Sequence, residues 1–90
     1  MDILYKPNNK KQTIEPIDSS YTIEELKELM LGDVELVYLV KSNSFLVLNK
    51  EYANEKLGFN EFATTLYHKS FPETIESKIY GNALITTNIN

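Results

Sequence analysis

The 90-residue chain predicts an α+β domain with strand and helix order ββαββαβ, one mostly antiparallel mixed sheet and two helices. Two observations carry that prediction. Tyr21 to Gly32 reads as a capped amphipathic helix, and Val34 to Asn49 reads as two apolar runs joined by a short polar turn. Strand-like segments on either side complete the order, and mixed order around a central helix argues α+β rather than a doubly wound sheet.

The chain begins with a short strand candidate, Ile3-Leu4-Tyr5. Lys6-Pro7-Asn8-Asn9-Lys10-Lys11 forms a turn cluster, and Gln12 to Ile17 reads as a second strand. Pro16 cannot donate a ladder hydrogen bond, so it belongs at an edge or a strand end.

The first helix has the clearest signal. Thr22 and Glu25 form a capping box, with Tyr21 and Leu26 in the two staple positions. Ile23, Leu26, Leu29 and Met30 recur at helical spacing and make one apolar face. Gly32 follows as the expected left-handed stop.

Val34 to Val40 is rich in β-branched and aromatic residues, as is Phe45 to Leu48. The polar turn Lys41-Ser42-Asn43-Ser44 between them makes a hairpin. Both runs are apolar on both faces, which calls for cover on both faces. If both helices pack on one face, a second copy is the expected cover for the other, giving a homodimer.

Lys50 to Leu57 has only weak helical periodicity, ended by Gly58. Asn60 then caps a second helix with the stripe Phe62, Ala63, Leu66 and Tyr67, and Phe71-Pro72 ends it. Ala83 to Thr87 is the last strand, and Asn88-Ile89-Asn90 reads as a frayed tail.

Length and composition fit one domain spanning residues 1–90. The absence of cysteine excludes disulfide and thiolate chemistry. No apolar run approaches a membrane span, and the N-terminus lacks a signal-peptide pattern, so a cytoplasmic location without membrane association is expected. The net charge is −4, and every basic residue is lysine. An acidic balance without arginine argues against a nucleic-acid partner.

Two stretches carry resemblances. Met1 to Lys6, Thr13-Ile14-Glu15-Pro16 and Thr22 to Lys27 resemble the opening of a ubiquitin-like β-grasp, which implies a β-grasp-like sheet. The chain ends without that family's terminal Gly-Gly, so a conjugated modifier is not implied. The blocks Tyr21 to Lys27, Leu31 to Val37, Leu46 to Glu51, Leu57 to Thr64 and Gly81 to Ile85 resemble a family of small uncharacterised domains carried by phages, plasmids and conjugative elements. That family has a proline near Phe59 and often a second glycine where this chain has Asp33. The resemblance implies a mobile-element origin and no particular chemistry.

No pattern of catalytic or metal-ligating residues emerges. His68 is the only histidine and has no partner at ligand spacing, so it reads as a surface residue. Glu24, Glu25, Glu28, Asp33 and Glu35 form an acidic cluster without a calcium-loop pattern, and read as a solvated, cap-stabilising face. The chain is therefore expected not to be an enzyme and to need no cofactor and no metal. Asn49, Glu51, Asn60 and Thr64 are polar residues that interrupt apolar segments at element ends, and they are the expected binding surface. Thr65 joins this polar set, although the two asparagines read as caps and turns first. The expected function is that of a small interaction protein of a mobile element or phage that modulates a host protein. The alternative is a non-catalytic binder of a small anionic ligand, such as a nucleotide-type signal.

Overall fold

The computed structural model describes residues 2–89. The strands are β1 (Asp2–Lys6), β2 (Lys10–Ile14), β3 (Val34–Leu39), β4 (Ser44–Asn49) and β5 (Ala83–Thr86). The helices are α1 (Ile23–Met30), between β2 and β3, and α2 (Glu61–Ser70), between β4 and β5. The α+β class and the ββαββαβ order are those the sequence predicts. The five strands form one sheet in the order β2-β1-β5-β4-β3. All four pairings are antiparallel, so the sheet is not mixed. The parallel element is a single bridge outside the strands, Tyr21 to Ile89.

Register sorts the side chains between two faces. Leu4, Leu84, Val47 and Leu36 lie side by side across the sheet and share one face. Ile3, Ile85, Leu46 and Val37 share the other. Leu4, Val47 and Leu84 pack with Tyr21, Leu26 and Met30, which places α1 on the first face. Leu46, Leu48 and Ala83 pack with Ala63 and Ile79, flanked by Leu66 and Tyr67, which places α2 on the second. The domain is thus three layers. Full burial of Leu46, Val47 and Leu48 explains why β4 is apolar on both faces. The homodimer expectation assumed both helices on one face. They lie on opposite faces, so sheet area no longer calls for a second copy.

Local chemistry explains the ends of α1. The Thr22 hydroxyl accepts from the Glu25 N–H at 3.2 Å, and the Glu25 carboxylate accepts from the Thr22 N–H at 3.0 Å. At the other end the left-handed residue is Leu31 (φ 62°), not Gly32. The Gly32 N–H donates to the Lys27 carbonyl at 3.0 Å, which closes a Schellman turn one residue earlier than expected. Gly32 is small for a packing reason: a Cβ there would sit 3.2 Å from Asn49 Nδ2.

Three other boundaries differ from the sequence reading. β2 ends at Ile14, before Pro16, and its first hairpin turns within Pro7–Asn9 with Asn8 and Asn9 left-handed. The weakly periodic stretch after Asn49 is turn followed by one 3₁₀ turn, Glu55–Leu57. The tail is not frayed through Ile89: the Asn88 carbonyl accepts from the Tyr21 N–H at 2.7 Å, and Ile89 packs on the α1-side core. Among the described residues no helix is long and apolar enough to cross a membrane.

Candidate functional site

The four expected binding residues separate by burial. Asn49, Asn60 and Thr64 are buried, whereas Glu51 is exposed. Asn49 Nδ2 donates to the Met30 carbonyl at 2.9 Å, and its Oδ1 accepts from the Glu51 N–H at 2.8 Å. Asn82, a residue the sequence reading did not single out, donates to the Leu29 carbonyl at 2.8 Å. Two asparagine amides thereby satisfy carbonyls in the last turn of α1, which have no partner within the helix. Asn60 caps α2 by accepting from the Ala63 N–H at 3.0 Å. Its Nδ2 also donates to the carbonyls of Gly81 and Tyr5. The Thr64 hydroxyl accepts from the Ile79 N–H at 2.8 Å. These side chains fasten helices to strands, and their polar atoms are engaged within the fold.

The remaining polar candidates have similar structural roles. His68 Nε2 contacts the Ser77 carbonyl on the exposed surface. Glu25 serves the α1 cap, and hydrogen bonds from the Thr22 and Ile17 amides hold its carboxyl below the usual range. Asp33 pairs with Lys27 at 3.6 Å on the surface. Tyr21 is buried with its hydroxyl 2.8 Å from Asp2, and burial followed by that contact pushes its ionisation well above the usual tyrosine range. Among the described residues no three His, Asp or Glu side chains gather closely enough to hold a metal ion. None of their buried side-chain polar atoms lacks a hydrogen-bond partner.

A surface hollow lies at the opposite end of β4 from Asn49. The β3–β4 hairpin turns there through Val40–Ser42, beside the C-terminal end of α2. Between them is a groove of about 430 Å³. Leu39, Leu66 and Phe71 give it apolar walls, with Lys41, Lys69, Ser42 and Ser70 among its polar lining. Tyr38 and Val40 complete one side, and Val40 is 76% exposed. The Ser42 and Ser44 hydroxyls are 2.6 Å apart and share one hydrogen bond. Among the described residues the only ion pair is Lys27–Asp33, so neither lysine of the groove has an acidic partner.

Apolar surface continues from the groove along β3. Leu36 is 41% exposed and Tyr38 45%, on the face that carries α1. The Tyr38 ring lies 5.3 Å from that of Phe45, its cross-strand neighbour. α1 covers Val34 and Val47 but leaves this corner of the sheet open. Sequence reasoning did not find the groove. Val40 and Phe71 are thirty-one positions apart, and periodicity cannot say that a hairpin tip meets a helix end.

A second hollow, smaller at about 130 Å³, is lined by Lys6, Lys10, Lys11, Asn9 and the stacked rings of Tyr5 and Phe62. Its basic lining suits an anion, but small-molecule sites usually enclose roughly 300–1,000 Å³. The chain matches no protein-family model, and comparison with curated proteins and with solved structures found no match.

Proposed function

We propose that this chain is a non-catalytic interaction protein that grips another protein at the hairpin end of the sheet. The observation that carries this reading is the groove between Val40–Ser42 and the end of α2, apolar inside and flanked by Lys41 and Lys69. An apolar side chain of a partner fills such a groove, and acidic residues beside it meet the two lysines. Apolar anchors entering pockets supply most of the binding energy in protein interfaces. The resemblance of the Tyr21–Ile85 blocks to a mobile-element family favours a host protein as the partner.

The small-ligand alternative draws support from the groove volume, which falls within the range of small-molecule sites. Such sites also fix their ligand with a few well-placed polar groups. Here the Ser42 hydroxyl is already bonded to Ser44, which favours the protein partner.

The test is recovery of a partner from host lysate by wild type, Val40→Asp and Ile17→Asp. Both positions are strongly exposed, and Ile17 lies away from the groove, so neither change disturbs the core. Loss of a specific partner with Val40→Asp alone is the expected result. Equal recovery by all three proteins would remove the groove from the interface. Native mass spectrometry of the purified protein addresses the alternative, because a retained small molecule would favour ligand binding.

A further inference from the structure

We infer that β3 is a self-pairing edge, and that two copies of the chain join β3 to β3 antiparallel about a two-fold axis at Val37. The proposal rests on the strand edge and not on the groove, although Tyr38 and Lys41 border both.

The geometry of the edge comes from the hairpin. The Lys50 N–H donates to the Asp33 carbonyl at 2.8 Å, in register with the pairing of Val34 to Asn49. Hydrogen-bonded and non-hydrogen-bonded pairs alternate along an antiparallel ladder. Glu35, Val37 and Leu39 therefore turn their backbone groups toward β4, while Val34, Leu36 and Tyr38 turn theirs outward. β3 is the last strand of the sheet, and among the described residues no other backbone hydrogen bond reaches it. Unpaired edges are commonly protected by lysine. The opposite edge, β2, has that protection in Lys10 and Lys11. β3 instead presents Leu36 and Tyr38 half-exposed beside its open backbone.

Charge selects the occupant and the register. Asp33 lies just before the strand and Glu35 at its start, with Lys41 in the turn beyond its end. Parallel pairing sets like against like, whereas antiparallel pairing of two copies sets acid near base. A two-fold pairing keeps faces aligned only when a residue lies on the axis, and two such registers give the fullest overlap. With Leu36 on the axis, Glu35 falls diagonal to Glu35 of the second copy. With Val37 on the axis, Glu35 lies opposite Leu39 of the second copy, clear of that copy's Glu35 and toward the strand end where its Lys41 stands in the following turn. The second register also sets Leu36 against Tyr38 twice, building one apolar cluster continuous with Phe45.

The chain has no cysteine, so introduced thiols report the register directly. On the axis, Val37 forms a non-hydrogen-bonded pair with Cα atoms about 4.5 Å apart, within disulfide range. Light scattering of the wild type at micromolar concentration should give twice the chain mass, and Leu36→Lys should give the monomer with unchanged circular dichroism. Under mild oxidation Val37→Cys should form a disulfide-linked dimer, and Lys11→Cys, on the β2 edge, should not. A monomeric wild type, which would leave the edge to a foreign strand, overturns the proposal. So does a dimer that Leu36→Lys leaves intact, or one that cross-links through Lys11→Cys and not through a folded Val37→Cys.

Discussion

Asn60 Nδ2 lies 2.8 Å from the carbonyl oxygen of Gly81 and donates to it. The same nitrogen donates to Tyr5 at 3.0 Å, so one amide joins the start of α2 to the end of β1 and the approach to β5. Aspartate caps helices as well as asparagine does. It cannot donate, however, and here it would hold a buried negative charge against two carbonyls. Asn60→Asp should therefore destabilise the fold by roughly 3–5 kcal/mol, the scale of an uncompensated buried charge. Chemical denaturation of the variant checks this, and a near-neutral effect would mean that Asn60 acts only as a cap.

Leu26 is 1% exposed at the centre of the α1-side core, among Leu4, Met30, Val47 and Leu84. Truncating a buried leucine removes its transfer free energy and leaves a cavity. Leu26→Ala should cost about 2–5 kcal/mol in denaturant unfolding. Ile23→Ala should cost less, because Ile23 is 48% exposed despite lying on the predicted apolar stripe.

Acid should weaken the α1 cap. The Thr22 amide, and then the Ile17 amide, hold the Glu25 carboxyl below its ordinary value of 4.5. A carboxyl depressed in the folded state stabilises the fold above its unfolded pKa, and that contribution is lost as pH falls through the folded value. Glu25→Gln should thus be less stable than wild type at neutral pH, with the gap closing as pH drops below 4.5. Thermal melts across that range measure it, and a gap that stays constant would contradict the assignment.

The sequence was most legible where one local signal fixes one local feature. Thr22 with Glu25, the stripe Leu26, Leu29 and Met30, the hairpin runs and the Asn60 cap all have a short-range cause, and each is present in the structure, although Ile23 at the start of that stripe stays half-exposed. The misread features have causes distant in sequence. Gly32 is small because Asn49 lies against it, and Ile89 is ordered because Tyr21 receives it. The polar residues followed the same rule. Asn49 and Asn60 stand out in sequence because they interrupt apolar segments, yet burial gives them a backbone to hold. The groove residues carry no mark, since Val40 and Phe71 look like ordinary apolar positions until the fold sets them at one hollow.

The proposed contact surface is tested most directly by site-specific photo-cross-linking at Val40 and at Glu51. Both are exposed, one at the groove and the other beside the asparagine network at the opposite end of β4. A photo-reactive residue at each position, activated in host lysate, reports which end of the domain touches a partner. A discrete cross-link from position 40 to a protein other than this chain, distinct from any link to a second copy, and none from position 51, is the expected result. A species from position 51 alone would contradict it and return the binding surface to the Asn49 end of the sheet.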